Sequence, residues 1–575
     1  MQKDTAQLVK KIITLKGDFS AEASKKKLQL LQQLDAVTLS SATQIKNYHE
    51  CLLYLLAYPC SRSIHTLATA QLHKVTSTVE KIFNSYTPKK QNTINGSGIF
   101  ASELVCAFSY EMAAWLLDNF GTDTGLHSSG ANAAVVSRVM ELALPKIEYQ
   151  EITQTACSLQ QRIQKLTGQK NSTRSLQWLL QILQQHHTDI FNRNHLYEQL
   201  QVFVHWKLHH PFFNRSYLRA LPATNIYYAK TAAPVKNHAR YISQKINAPL
   251  LLAAAEKKHL LNTARAALAL HCRETDPVTF GDSNTVTYFN MGYGIAIALF
   301  TMLPQHRFSI ESYIGYMTFV NGVPAAYGGG WLLAHRCKIG IHIFPAVRGG
   351  NSGLLFASIL RLYHQYYKAQ LFVVKPYQFG KGNTEGLRSG AFWFYYKLGF
   401  RPATAVLQQL ALDEVAKKQA VKKYRTPFAV LQKFTTAPLQ LLLHKNSFPV
   451  YDGSDISKAI TKNIITHFEG NRQRAISFFT KQVKKLAAGN AIKFTATQGR
   501  LLKLQSPWMA LLQTGEKNFY HFTKKEVQQF IRLLLAKYGT DERDYILQLQ
   551  QHKKLWKVLN SHIENQVFTA GVASA

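Results

Sequence analysis

Acidic residues are scarce in this 575-residue chain. It carries 32 Asp and Glu against 68 Lys and Arg, which gives a formal net charge of +36 at pH 7. Only 17% of the residues are charged, so the imbalance comes from missing acids more than from added bases. A surface of this kind attracts polyanions such as nucleic acid. The densest basic run is only Lys25–Lys27, however, and no RNP, zinc-finger or arginine-rich segment is present. Charge alone therefore leaves nucleic acid as one alternative partner.

Cysteines and long apolar runs are also sparse. The six cysteines are scattered and form no CxxC pair, which argues against a zinc site or a disulfide framework and favours a reducing, cytoplasmic location. The longest apolar stretch, near Ile295–Leu303, is too short to span a bilayer, and the N-terminus lacks the apolar core of a signal peptide. His205 and His209 have the i, i+4 spacing of a metal-binding pair on one helix, but no third ligand is evident. We therefore expect neither a membrane span nor a metal.

The length of the chain indicates several domains. The apolar periodicity and the breaks at proline and glycine predict an α+β fold with a mixed sheet in the middle of the chain. Four regions are expected: an α-helical domain over 1–210, a connector with one helix over 211–274, an α+β domain over 275–435, and a helical region over 436–575.

One segment combines a strand, a glycine-rich loop and a helix. The alternating run Ile339–Ile343 predicts a strand, and an amphipathic helix begins near Ser352. Backbone N–H groups in such a loop point at one place, where the helix dipole also favours negative charge. This predicts an anion cradle for a phosphorylated cofactor, built from Phe344, Val347, Arg348, Gly349, Gly350, Asn351, Ser352 and Gly353.

Three further segments extend this pattern. Asn321-Gly322 between apolar runs predicts a β-hairpin before the cradle strand. Ala369–Val374 is typical of a short buried strand. Ala391–Phe400 indicates a short helix that ends at Gly399 and leads into another strand. Gly328, Gly329 and Gly330 would let the second hairpin strand bend or admit a ligand close to its backbone.

The cradle and the later helix together resemble the GNAT superfamily of acetyl-CoA-dependent N-acyltransferases. Pro345, Arg348, Gly349 and Gly353 match the family's Pro-x-x-Arg-Gly-x-Gly-x-Gly pattern, and Phe394–Phe400 matches its Phe/Leu-Tyr-x-Lys-Leu-Gly-Phe pattern. Two positions depart from the family. Asn351 replaces the middle glycine of the cradle, and Arg388 stands where many members have Asn. The resemblance covers about residues 275–435.

The resemblance implies direct transfer of an acyl group, other than an aminoacyl group, from acetyl-CoA or another acyl-CoA to an amine. The acceptor would be a small molecule or a protein. Tyr395 matches the general acid of the family. His342 on the cradle strand and Glu385 in the loop before the last helix are candidate general bases, with Glu311 as a third. The resemblance also implies that Ile295–Leu303 is a helix following a first strand at Val286–Asn290.

Two other functions stay open at this point. The chain could be a basic nucleic-acid-associated protein in which a GNAT-like domain is a non-catalytic scaffold. It could also transfer aminoacyl groups from tRNA, although that reaction usually needs no intact cradle.

Overall fold

The computed structural model describes most of the chain. The described residues are 2–39, 41–85, 88–148, 150, 156–186, 189–221, 225–231, 234–444, 452–512 and 522–559. Within them the fold is α+β and contains one three-stranded antiparallel sheet and one larger mixed sheet.

The N-terminal region combines helices with the smaller sheet. Its helices are α1 (Gln2–Leu15), α2 (Ala21–Asp35), α3 (Ala42–Ala57), α4 (Arg62–Ser85), α5 (Pro88–Ile94), α6 (Tyr110–Phe120), α7 (Ala133–Ala143), α8 (Leu159–Thr167), α9 (Ser172–His186) and α10 (Ile190–Gln199). Its strands are β1 (Glu103–Ala107), β2 (Thr124–Ser129) and β3 (Val202–Lys207), with β3 in the centre.

The smaller sheet corrects the expectation that residues 1–210 are helical throughout. The apolar stretch after residue 103 is divided at Ser109, whose hydroxyl accepts a hydrogen bond from the Met112 amide at 3.3 Å and caps helix α6. The residues before this cap are therefore free to form β1. His205 lies in β3 and His209 beyond its end, so the two imidazoles do not share a helix face.

Two helices lie in the described part of the connector. They are α11 (His238–Ser243) and α12 (Ala254–Ala269). The second agrees with the helix expected there. Helix α11 contributes Tyr241, whose hydroxyl lies 3.1 Å from the Ser358 hydroxyl, so this connector is anchored to the central region.

The central region contains the larger sheet. Its strands are β4 (Thr287–Gly292), β5 (Ile295–Phe300), β6 (Ser312–Val320), β7 (Val323–Leu333), β8 (Arg336–Ile339), β9 (His342–Ile343), β10 (Leu371–Val374), β11 (Arg401–Pro402) and β12 (Leu439–Leu442). Its helices are α13 (Asp276–Thr279), α14 (Ser352–Tyr367), α15 (Thr384–Arg388), α16 (Ala391–Lys397), α17 (Ala405–Ala420) and α18 (Phe428–Phe434).

The larger sheet is mixed. The order of its strands is β11-β12-β10-β8-β7-β6-β5-β4, and β9 also pairs with β7. Strands β8 and β10 are parallel, whereas the other pairs are antiparallel. The parallel pair follows from its connection, because helix α14 crosses over the sheet between β9 and β10. Leu355, Ile359 and Leu362 of that helix are buried, as the periodicity predicts.

Two expectations for this region need correction. Ile295–Leu303 is not a helix, since Ile295–Phe300 forms β5 and pairs with β4. A tight turn at Gly292, Tyr293 and Gly294, each with positive φ, joins the two strands. The sheet also extends past residue 435, because β12 lies between β10 and β11.

The C-terminal region is helical after β12. It contains α19 (Gly453–Phe468), α20 (Arg472–Ala488), α21 (Ala496–Gln505), α22 (Lys524–Ala536) and α23 (Glu542–Gln551). Buried Lys537 joins it to the larger sheet. Its ammonium group donates to the Glu311 carbonyl oxygen at 2.9 Å and forms an ion pair with Glu542 at 2.7 Å.

Candidate functional site

The site forms where the two parallel strands of the larger sheet separate. Residues Arg336–Lys338 of β8 pair with Leu371–Val373 of β10. Beyond this pairing the chain of β8 is interrupted at Gly340 and continues as β9. The chain after β10 instead turns into a short 3₁₀ helix over Pro376–Phe379. A cleft therefore opens between β9 and residues 375–378.

Two cavities meet in this cleft. We call the cavity on the side of the cradle loop and helix α16 the donor cavity; its volume is about 350 Å³. We call the cavity on the side of strands β6 and β7 the acceptor cavity; its volume is about 570 Å³. His342 and Gln378 line both. The Gln378 side chain covers Gly340 so closely that an added Cβ there would lie 2.6 Å from it.

Tyr395 is buried beneath the donor cavity. Helix α16 places its ring against Phe356, with ring centroids 5.5 Å apart. Burial raises the pKa of this phenol, and the neighbouring backbone N–H of Ile341 offsets that rise only in part. Tyr395 therefore stays protonated at neutral pH, and its proton remains available for a second partner in the donor cavity.

His342 stands at the junction of the two cavities. Its ring stacks on Tyr327, with centroids 5.3 Å apart and planes inclined at 19°. The ring is accessible, yet desolvation by the cleft walls lowers its pKa, and the positive charges of Arg273 and Arg348 lower it further. The imidazole is consequently neutral near pH 7 and can accept a proton.

The two carboxylates considered as bases lie outside the acceptor cavity. Glu385 is exposed at the mouth of the donor cavity, where it forms an ion pair with Arg348 at 3.0 Å. Glu311 is buried and pairs with Lys338 at 2.9 Å. Neither lines the acceptor cavity, so His342 is the candidate base that reaches both sides of the cleft.

The cradle loop uses several of its amides internally. Phe344 and Val347 are buried, and Gly350 lies against a tyrosine ring of the N-terminal region. Four backbone N–H groups donate hydrogen bonds to backbone carbonyl oxygens: Phe344 to Ala325 at 2.9 Å, Val347 to Phe344 at 3.1 Å, Arg348 to Pro345 at 3.2 Å and Gly350 to Val347 at 3.3 Å. The amides of these four residues shape the loop rather than present free donors, which corrects the expectation that they help to bind an anion.

The first turn of helix α14 supplies outward-facing amides. Ser352 and Gly353 begin this helix, so no carbonyl one turn earlier can accept from them within it. Asn351 caps the helix, and its side chain accepts from the Leu354 amide at 3.2 Å. It has φ −87°, whereas Gly349 has φ +85°. Asn351 is therefore tolerated in place of glycine because the left-handed position of the loop is Gly349.

The N-terminal region covers the other face of this loop. Tyr54 of helix α3 donates a hydrogen bond to the Gly349 carbonyl oxygen at 3.3 Å. Tyr58 packs so closely on Gly350 that a Cβ added there would lie 2.4 Å from its ring. The conformation of the cradle therefore depends on residues nearly 300 positions away in the sequence.

The acceptor cavity has aromatic and cationic walls. Tyr313 and Trp331 stack with ring centroids 4.2 Å apart, and Tyr327 lies beside His342. Gly328 and Gly329 line the cavity, and a Cβ added to them would lie 2.6 Å from Tyr316 and 2.4 Å from Tyr313, so tyrosine side chains make the close approach to this backbone. Its cationic wall residues are Arg273, Lys338 and Lys375.

A third cavity continues from the donor cavity over the surface. This basic groove has a volume of about 720 Å³ and shares Ser389 and Phe394 with the donor cavity. Gly353 lies at one end, and Lys418 lies over the Trp393 ring at 3.6 Å from its centroid. Its cationic residues are Arg388, Lys397, Lys418 and Arg425.

Sequence reasoning found one side of the cleft and missed the other. The donor cavity contains Tyr395, His342, Glu385, Arg348 and Ser352, all of which were predicted as site residues. The acceptor cavity and the basic groove come from segments far apart in sequence. Only the three glycines Gly328–Gly330 gave a signal for the acceptor side.

Comparison with protein-family models, with curated proteins and with solved structures finds no match to this chain. Among the described residues, no group of three or more His, Cys, Asp or Glu side chains could hold a metal ion. In the same part of the chain, no helix is both long and apolar enough to cross a membrane.

Proposed function

We propose that this protein is an N-acyltransferase that moves an acetyl or other acyl group from acyl-CoA to an amine. The observation that carries the proposal is the cleft between β9 and residues 375–378, where the donor and acceptor cavities meet at His342. A thioester in one cavity and an amine in the other would approach each other there. Such positioning supplies much of the catalysis in a direct transfer.

The donor side has the features that an acyl-CoA needs. The long pantetheine arm would occupy the donor cavity, which shares Ser389 and Phe394 with the basic groove. The amides of Ser352 and Gly353, together with Arg348, suit the diphosphate. The basic groove suits the phosphorylated nucleotide. Only the amides at the start of helix α14 support diphosphate binding, since four other amides of the loop already donate to backbone carbonyl oxygens.

Two side chains suit the proton transfers. As the amine nitrogen bonds to the acyl carbon, the carbon–sulfur bond breaks and the sulfur leaves with the bonding electron pair. Neutral His342 would take the proton that the nitrogen loses, directly or through water. Tyr395 would give its proton to the leaving sulfur, and the two proton transfers balance once His342 and Tyr395 exchange their protons with solvent.

Thermal denaturation in the presence of acetyl-CoA tests the donor site. A ligand at about one hundred times its Kd stabilises the folded state by ~2.7 kcal/mol, so millimolar acetyl-CoA should raise Tm clearly. Acetyl-pantetheine, which lacks the nucleotide and the diphosphate, serves as control and should give a smaller shift. No shift with acetyl-CoA, together with tight and salt-sensitive binding of DNA or RNA, would favour the nucleic-acid-associated alternative.

A further inference from the structure

The acceptor cavity carries positive charge that the protein does not neutralise. Three cations line it, and its only lining carboxylate is Glu274. Lys338 is compensated by Glu311 at 2.9 Å and by Asp452 at 3.4 Å. Arg273 and Lys375 form no ion pair with any described residue.

Glu274 offsets at most one of these two charges. Its carboxylate accepts hydrogen bonds from the Ser109 amide at 2.8 Å, the Ser109 hydroxyl at 2.6 Å and the Thr279 hydroxyl at 3.2 Å. These bonds hold it against the cap of helix α6. The carboxylate is thus engaged on the side of the N-terminal region, and the cavity keeps an excess of positive charge.

The two unpaired cations enter from separate segments. Arg273 follows helix α12, and Lys375 follows strand β10. Both segments border the cleft that contains His342, and the charge of Arg273 reaches this imidazole strongly enough to affect its titration. A plain ammonium ion would be repelled by this field, whereas an anionic group on the same molecule would be attracted.

We propose that the acceptor is an amine that also bears an anionic group, a carboxylate or a phosphate, held by Arg273 and Lys375. This inference rests on the proposed acyl transfer and names the substrate class of the same cleft. The anion would hold the molecule while its amine lies toward His342.

Matched pairs of amines test the inference on the full chain. Phenylalanine and phenylalaninamide differ by a carboxylate charge, glucosamine 6-phosphate and glucosamine differ by a phosphate, and spermidine is a polycation. Binding is measured by calorimetry without acetyl-CoA, and acetylation by thiol release with it. We expect kcat/KM for one anionic amine, calculated on its neutral-amine fraction, to exceed that of the partner without the anionic group by roughly tenfold or more, because charged hydrogen bonds have this strength. The responding pair distinguishes carboxylate from phosphate.

Charge variants show whether these cations are responsible. Arg273→Gln and Lys375→Gln should each raise KM for the anionic amine and so remove most of its advantage in kcat/KM. Lys375→Arg, which keeps the positive charge, should retain this advantage. Lys381→Gln is the matched control, because this exposed lysine lies on the same loop and lines none of the three cavities. It should leave the advantage unchanged.

The outcomes separate this inference from the proposed function. Acetylation of spermidine, or of the amines without an anionic group, as fast as the anionic ones overturns the inference and leaves the transferase standing. An anionic advantage that persists in both glutamine variants, or no binding of either anionic amine at millimolar concentration, also overturns it. Binding of an anionic amine that depends on Lys375, without any effect of acetyl-CoA, supports the anion site and refutes the transferase.

Discussion

The hydroxyl of Tyr395 should matter far more for turnover than for stability. In Tyr395→Phe the ring and its packing against Phe356 remain, and only the buried phenol oxygen is lost. Loss of one buried hydroxyl group costs about 1 kcal/mol of the free energy of unfolding. Loss of a general acid lowers the rate by roughly 10² to 10⁴. The affinity for acetyl-CoA should change little.

Tyr316 provides a matched control. Its buried hydroxyl donates to the carbonyl oxygen of Gly340, the residue before Ile341. Tyr316 and Tyr395 therefore both lie against the break between β8 and β9. Tyr316 lines neither the donor nor the acceptor cavity. Tyr316→Phe should therefore cost about as much stability as Tyr395→Phe, ~1 kcal/mol, but should leave most of the turnover.

The assay for both variants is release of the CoA thiol under single-turnover conditions, with urea denaturation measured in parallel. Single-turnover rates isolate the chemical step from product release. If the two variants lose turnover equally, the loss comes from a change in the backbone at the break between β8 and β9, and not from the missing proton of Tyr395. If Tyr395→Phe retains full turnover, Tyr395 has no part in proton transfer and the reasoning fails.

Two further predictions concern the cleft and its support. His342→Gln should lower kcat by roughly a hundredfold or more, whereas Glu385→Gln should change it by no more than about twofold, because of these two candidate bases the imidazole lines both cavities and the carboxylate does not. Since desolvation lowers the pKa of His342, the wild-type rate should stay high at pH 7 and fall only when the pH drops below about 6.5, and a pH–rate profile in which His342→Gln keeps the same acid limb would contradict this. Gly350→Ala should reduce the free energy of unfolding by ~1–3 kcal/mol, because the new methyl group meets the Tyr58 ring. A double-mutant cycle with Tyr58→Ala, followed by urea denaturation, should show coupling between the two positions, and strictly additive losses would refute the contact.

Local turn and cap chemistry made much of the central region predictable. Asn321 and Gly322 have φ +47° and +79°, as the hairpin signal requires. Helix α14 begins at Ser352, and Gly399 has φ +98° after helix α16. In each case the residue type itself restricts the backbone, so the signal survives without knowledge of tertiary contacts.

The failures have an equally local cause. The family resemblance implied a helix over Ile295–Leu303, and the turn before this segment gave no local signal against it, because Tyr293 has φ +55°, a conformation that such a residue rarely adopts. Strand β1 was missed because the five residues Glu103–Ala107 are too few to establish a period next to an apolar helix. Short apolar runs are ambiguous between strand and helix until their partners are known.

The sequence by itself determined where the cradle loop, its helix and the Tyr395 helix lie along the chain, because glycine, asparagine and capping residues act through bonds to near neighbours. Only the tertiary structure decided which loop amides stay available, how β8 and β10 separate, and which cations share the acceptor cavity. Arg273, Trp331 and Lys375 are brought together by strand order and by a crossover helix. Such proximity depends on packing between distant segments, and no local pattern encodes it.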